Sequence, residues 1–446
     1  MADEPEDSSN SKSRKERKEE GKLRKRQRIE ESGGVRPRSK EPKNSKTKSV
    51  DQKGKREGNN KKKKQQKNHE QKSQHRFGRV MDQVPCRNKP RFSTLSIALP
   101  GSVLSNCQTR ELKTHLVGQI ARACTIYHVD EVVVFDDKLS KRNNNNNKSE
   151  ANNAGEKSVD FSCAFLSRVL QYCECPQYLR RTFFPQHPDL QFAGLLPPID
   201  APHHVRAEDR CKYREGAVLK PKGNEEETSN LVNCGVRNRP IVIDRSLPPG
   251  IRCTVELDPK DYGRPGKKMS GKVVSPAAPR EDNGTYWGYT TRIADSIQNV
   301  FEECPFEGGY DLKIGTSERG DANIEDPKFS LPQFAHSLIV FGGVAGIEEC
   351  IDADETSKLP GSESKNLFDL WVNICPFQGS RTIRTEEAVL IGLAKFSPHL
   401  ATSGATMGPN NSSEAEKGKG ENAPVVEFSD GAVSEESSDS NSEDSE

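Results

Sequence analysis

SLIVFGGVAGIEE (Ser337–Glu349) and FDLWVNICPFQGSRTIRTEEAVLIGLA (Phe368–Ala394) decide how this chain folds. Ser337–Phe341 is a short apolar run containing β-branched residues, the pattern of a buried strand. Gly342, Gly343 and Gly346 follow at once, and glycines there let a ligand approach the backbone closely. A second apolar run, Leu370–Ile374, ends in Asn373, Cys375 and Pro376. Gly379-Ser380-Arg381-Thr382 comes next, then a helix from about Thr385. Thr385 is the expected N-cap, with Glu386 and Glu387 at the positive end of the helix dipole. Two strand ends and one helix start, all polar or glycine-rich, either converge on one ligand or make two ordinary turns of an α/β core.

Two common ligands are disfavoured by spacing. A dinucleotide fold wants G-x-G-x-x-G after an early strand, whereas G-G-x-x-G stands late in this chain. A phosphate loop needs G-K-[ST] after its glycines; Ile347-Glu348-Glu349 stands there, and carboxylates repel a triphosphate. A ligand held by backbone groups fits better. A third loop supports the same reading. Tyr310–Ile314 reads as a strand, and GTSERG (Gly315–Gly320) follows it, with Thr316 and Ser317 at the strand's carboxyl end. Open α/β sheets bind ligands at such ends; a capped turn is the alternative.

Further out, Thr94–Leu99 is a strand closed by Pro-Gly. Leu112, Leu116, Ile120 and Cys124 recur every four residues, one face of an amphipathic helix. EVVVFDD (131–137) is a second strand, so the segment is a β-α-β unit with a parallel pair. Asn143–Asn147 opens a polar surface loop, and Ala164–Phe183 reads as further helix. From about Pro202 the texture becomes five short β runs (214–220, 231–235, 240–246, 251–258, 271–276) split by Gly, Pro, Asn and Asp, the spacing of a small barrel. TYWGYTTRIADSIQNVF then returns to α/β as an aromatic strand and a helix. His203-His204 lacks a second ligand pair, and Cys173/Cys175 form C-x-C, so no metal is expected.

The net charge of +2 conceals strong polarity: residues 1–80 hold 27 Lys+Arg against 13 Asp+Glu, and residues 411–446 hold 2 against 11. Both tails are too poor in apolar side chains to offset ordering entropy and are expected to be disordered. KLRKRQR (22–28) and KKKK (61–64) suit nuclear localisation or RNA binding. The C-terminal serines sit amid acids and suit acid-directed kinases. No run of 18 apolar residues exists, so no membrane span is expected. No signal-peptide core is evident. Twelve scattered cysteines read as reduced thiols.

FGGVAGIE, NICPFQGSRTIRTEEA and GYDLKIGTSERG together resemble the SPOUT-class methyltransferases, over about Pro90–Leu400. The resemblance implies an α/β SPOUT trefoil-knot domain with an inserted OB-like β-barrel. Its boundaries would be a disordered basic tail at 1–88, SPOUT halves at 89–201 and 285–402, the insert at 202–284 and a disordered acidic tail at 403–446. It implies S-adenosyl-L-methionine as cofactor, RNA as substrate and a homodimer in the nucleus or its nucleolus, with spindle or centromere components as further partners. Cofactor contacts would fall on Thr316 and Ser317, on Phe341, Gly342, Gly343, Gly346 and Ile347, and on Asn373, Cys375, Pro376, Gly379, Ser380, Arg381 and Thr382. GQIARAC resembles the first SPOUT helix, which makes Arg122 a catalytic candidate. Leu116 stands where one large branch has Asn. Asn106, just before that helix, is the second candidate. On local grounds alone Asn106 is a helix cap and Arg122 a surface or ion-pairing residue. The competing function is a nuclear RNA-binding or spindle scaffold that keeps the pocket without turnover, since no catalytic base stands out. A nicotinamide oxidoreductase is disfavoured by glycine placement.

Overall fold

Thr94–Pro100 forms β1, buried at all seven positions, as a strand must be when both faces of its parallel sheet are covered. The computed structural model describes residues 89–139, 160–221, 228–236, 240–262, 269–343, 346–354 and 359–404. The expectations for both tails and for Asn143–Asn147 lie outside these. Thr109 Oγ1 accepts the Leu112 N–H at 3.3 Å and starts α1 (Arg110–Ile126). Leu116, Ile120 and Cys124 are buried on α1, but Leu112 is 55% exposed, because the first helical turn projects beyond the core. β2 (Glu131–Phe135) pairs with β1 in parallel, completing the β-α-β unit.

The single helix expected over Ala164–Phe183 is two: α2 (Phe161–Glu174) and α3 (Arg180–Phe183). Pro176 forces the break. It has no N–H to continue the ladder and pushes Cys175 to extended backbone, with φ −65° and ψ 128°.

β3 (Tyr213–Val218), β4 (Ser229–Asn233), β5 (Ile241–Leu247), β6 (Arg252–Leu257) and β7 (Ser270–Val274) close a barrel in the order β3-β4-β5-β7-β6. β5 and β7 run parallel; the other neighbours are antiparallel. Val232, Ile241 and Val255, on β4, β5 and β6, fill it together with Met269 just before β7.

After α4 (Ala278–Asn283) the chain resumes the sheet with β8 (Thr290–Ala294), which pairs with β2. The barrel is therefore an insertion between two adjacent strands. β8 starts later than the aromatic run suggested. Gly288 has φ +90° and breaks the extended segment. Tyr286 and Tyr289 plug into the core instead, donating to the carbonyls of Val129 and Leu170 at 2.8 and 2.9 Å. Then follow α5 (Ile297–Glu302), β9 (Leu312–Thr316), β10 (Ala322–Asn323), β11 (His336–Val340), α6 (Gly346–Asp352), β12 (Leu370–Asn373) and α7 (Thr385–Ser403). The sheet has seven strands, all parallel, in the order β10-β12-β9-β11-β1-β2-β8. One face packs on α1, α2 and α7 through Ile120, Phe165 and Leu393; the other packs on α5 and α6 through Val300 and Ile347. Among the described residues no helix is long and apolar enough to cross a membrane, and every described cysteine is a free thiol.

Candidate functional site

β12, β9 and β11 are consecutive neighbours running the same way, so their carboxyl ends open together. Three loops leave these ends, and side chains tie them into one unit. Thr316 Oγ1 donates to the Val340 carbonyl at 2.9 Å, joining the end of β9 to the end of β11. Ser317 N–H donates to the Val372 carbonyl at 3.1 Å, and Ser317 Oγ to Glu348 Oε1 at 3.1 Å. Asn373 bridges in both directions: Nδ2 donates to the Glu318 carbonyl at 3.0 Å, and Oδ1 accepts the Cys375 N–H at 3.0 Å. Thr385 is not the N-cap. Arg384 takes that position, its N–H on Glu387 Oε2 at 3.0 Å, while Thr385 Oγ1 donates to the Gly342 carbonyl at 2.9 Å. The hydroxyl that would have capped α7 instead fastens it to the loop after β11.

Glycine fits these loops for two distinct reasons. Gly346 has φ +88°, in the left-handed region where a side chain is strained. Gly343 is an ordinary conformation in a tight place: a Cβ there would lie 2.6 Å from Ser102 Oγ and 3.1 Å from Pro100 Cγ. The loop after β11 thus presses against the end of β1. Phe341 and Ile347 are fully buried, so their side chains pack the two core faces rather than the loop surface. Cys375 and Pro376 are half-buried; Gly379, Ser380, Arg381 and Thr382 are exposed, and a Cβ on Gly379 would meet open space.

Sequence reasoning missed three neighbours of this unit. Gly320 abuts the backbone of Val372 and Asn373, with 2.1 Å from a would-be Cβ to the Asn373 nitrogen. Ser102 and Asp137 flank Gly343, and neither Ser102 Oγ nor Asp137 Oδ2 completes a hydrogen bond among the described residues. Burial pushes the Asp137 carboxyl up, against the opposing pull of Ser102 and of nearby amides. Gly320 had a signal, in the quoted GTSERG. Ser102 and Asp137 had none, because only the parallel pairing of β11 with β1 and of β1 with β2 brings them there.

The structure separates the two catalytic candidates. Asn106 is exposed at the end of a 3-10 turn (Gly101–Asn106). Partial burial and then Glu386 push the thiol of adjacent Cys107 up, while Lys113 and Arg384 oppose. Arg122 is engaged elsewhere: Nη1 donates to the carbonyls of Ile199 and Pro198 at 2.5 and 3.3 Å, and no described contact links it to the three loops. His203 and His204 both place Nε2 on the Glu174 carbonyl, at 2.9 and 2.6 Å. Burial and then His203 push His204 down to about 3.

A tied unit of three polar, glycine-bearing loops suits a small ligand with several polar groups. Comparison with known proteins gives the chemistry. The family described as "Putative RNA methyltransferase" matches residues 94–396, from the first residue of β1 into α7. A human protein, "28S rRNA (uridine-N(3))-methyltransferase", is 49% identical over 318 residues, covering 71% of this chain and 81% of its own length. The Drosophila melanogaster protein of the same name is 44% identical over 331 residues, covering 73% and 67%. A Caenorhabditis elegans "Putative methyltransferase spot-1" is 35% identical over 321 residues, covering 69% and 82%. The match takes in both halves of the sheet, the barrel and all three loops, and the chain belongs to this family of RNA methyltransferases.

Proposed function

We propose that the protein methylates N3 of a uridine in large-subunit ribosomal RNA, with S-adenosylmethionine as donor. The observation that carries this is the tied unit of three loops at the ends of β9, β11 and β12, in a chain of this family. The donor, when bound, supplies a methyl group activated on a sulfonium. The chain's part is to hold, aim and exclude water. Backbone at 342–343, 346–347 and 373–380 would hold the donor. Uridine N3 is an imide nitrogen, so its new bond to carbon comes with release of one proton. Asn106, exposed at the end of its 3-10 turn just before α1, would align the base.

The finer architecture belongs to the same reading. β12 enters the sheet between β10 and β9, the return into an existing sheet that a trefoil knot requires. The barrel order, with one parallel pair closing β5 on β7, supports the OB assignment and an RNA-binding role. Leu390 on α7 is 46% exposed on the helix that packs on α1, which supports a homodimer through α7. Ribosomal RNA as substrate supports the nucleus, and the nucleolus within it. The scaffold alternative, with its spindle or centromere partners, has no support in the relatives' names.

The test is single-turnover methylation of ribosomal RNA from cells lacking the protein, with the modified nucleotide mapped. Methyl at uridine N3 is expected; transfer to another atom or to no cellular RNA would overturn the reading. Asn106→Ala should slow transfer on the order of a hundredfold while calorimetric affinity for S-adenosylhomocysteine stays as in wild type. Equal loss of both would put Asn106 in the donor pocket, and Arg122→Ala run beside it decides whether that residue takes part.

Deleting residues 1–80 removes 27 positive and 13 negative side chains, a net +14. RNA affinity should fall and its salt dependence flatten, because fewer counterions are released. A slope unchanged between full chain and truncation would show that the tail makes no phosphate contacts.

A further inference from the structure

We propose that the exposed face where α1 and α2 begin is a stacking platform for a single-stranded stretch of the RNA substrate, with a base on Phe161 and phosphates on Lys113 and Arg110. This rests on the reading above that the substrate is RNA. Phe161, the first residue of α2, is 51% exposed. Only one edge is supported, by Phe165 with ring centroids 6.1 Å apart. Two cations from one turn of α1 converge on the ring: the Arg110 guanidinium carbon lies 5.8 Å and Lys113 Nζ 5.7 Å from its centroid.

These cations are poorly neutralised. Lys113 makes no ion pair among the described residues. The nearest carboxylate to Arg110 is Asp189, at 4.0 Å, and Asp189 is shared with Arg168 at 3.3 Å and His187 at 3.3 Å. Asp160 is spent on capping α2, where it accepts the Ser162 N–H at 2.8 Å. A half-exposed aromatic ring with two weakly neutralised cations over it offers its remaining face to a base and the cations to phosphates, the combination that single-strand binders use. Duplex RNA would keep its bases paired and off the ring. A second copy of this chain docking here by two-fold symmetry would bring the same cations against each other.

The position fits a substrate path. The Asn106–Cys107 segment lies just before α1, and α1 packs on α7, whose first residue Thr385 is bonded to the Gly342 carbonyl, so a strand leaving Phe161 over Lys113 runs toward that helix pair. The start of α7 borders the three-loop unit.

The experiment is anisotropy of labelled oligouridine with the full chain over a salt series, for wild type, Phe161→Ala, Phe161→Trp and Lys113→Ser. Base stacking predicts that Phe161→Ala loses roughly five- to a hundredfold in affinity and that Phe161→Trp keeps it. Lys113→Ser should lower the salt slope by about one. A matched duplex should bind all four alike. Calorimetry with S-adenosylhomocysteine and sedimentation on the same variants should not move. Phe161→Ala binding oligouridine like wild type, or wild type not binding it, overturns the platform. A change in sedimentation with RNA affinity intact assigns the face to a second copy and also overturns it. If Phe161-dependent binding holds but no RNA is methylated, the methylation reading fails and the platform stands.

Discussion

Gly343→Arg is expected to reduce affinity for S-adenosylhomocysteine by at least about a hundredfold, while Gly343→Ala loses about tenfold. The sequence suggests that a side chain here would enter the ligand's space. The structure gives a different cause. A Cβ at Gly343 meets Ser102 Oγ at 2.6 Å and Pro100 Cγ at 3.1 Å, so the loop after β11 must lift off the end of β1. Overpacking of this kind costs about 1–3 kcal/mol for a small addition, and each 1.4 kcal/mol is tenfold in affinity. The longer arginine cannot be relieved by small shifts, because β1 and β11 are paired from Thr94↔His336 to Ala98↔Val340 just below. Calorimetry on the two variants, with thermal melts to verify folding, reads the effect. The cause has its own check: Ser102→Ala added to Gly343→Ala should recover part of the loss, since the closest atom is then gone. A folded Gly343→Arg that binds like wild type would place the pocket elsewhere.

What was legible in the sequence follows from how far apart the deciding residues lie. Ser337–Phe341 is seen as β11 at His336–Val340, because a short apolar β-branched run bounded by glycine has few other fates. The five barrel runs were legible for the same reason, and their closure into one barrel follows from β3 pairing with both β4 and β6. Local chemistry that was visible but given too little weight explains two errors. Pro176 sat in plain sight inside the supposed long helix, and the polar start of α1 left Leu112 beyond the core. Thr385 was misread for a different reason. An N-cap and a side chain reaching a distant carbonyl look alike in sequence, and only the approach of Gly342 decides between them. Ser102 and Asp137 at Gly343 were beyond reach altogether. Nothing within either segment signals that β1 and β11 are neighbours across an inserted barrel.

Arg252→Met should lower stability by about 3–5 kcal/mol, the cost of stripping one partner from a buried ion pair. Arg252 stands on β6 of the barrel and reaches into the sheet domain. Its Nη1 and Nη2 donate to both oxygens of Glu174, the last residue of α2, at 2.6 and 2.8 Å, and its Nε donates to Glu215 Oε2 at 2.7 Å. Glu215 Oε1 also accepts Thr254 Oγ1 at 2.6 Å and the indole N–H of Trp287, in the segment returning from barrel to sheet. This guanidinium therefore helps to hold the barrel on the sheet, together with Tyr178 Oη donating to the Glu215 carbonyl at 2.8 Å. Burial alone would raise the Glu174 carboxyl, but Arg252 beside it holds it well below the usual carboxylate range. Stability from such a group is present above its unfolded value of about 4.5 and is lost as pH falls through the folded one. Without Arg252 burial is opposed chiefly by His203, whose Nε2 lies 3.0 Å from Glu174 Oε1, and where burial outweighs it the sign reverses: a raised carboxyl favours the fold below about 4.5 and costs stability as pH rises. The gap in melting temperature between wild type and Arg252→Met should accordingly be widest near pH 7 and narrow towards pH 5. Arg252→Lys, which cannot reproduce the forked contact to Glu174, should fall between them. Thermal melts across that pH range decide the matter. A pH-independent gap would mean lost packing rather than an uncompensated carboxylate, and an unchanged melt at pH 7 would mean that the barrel is held by something else.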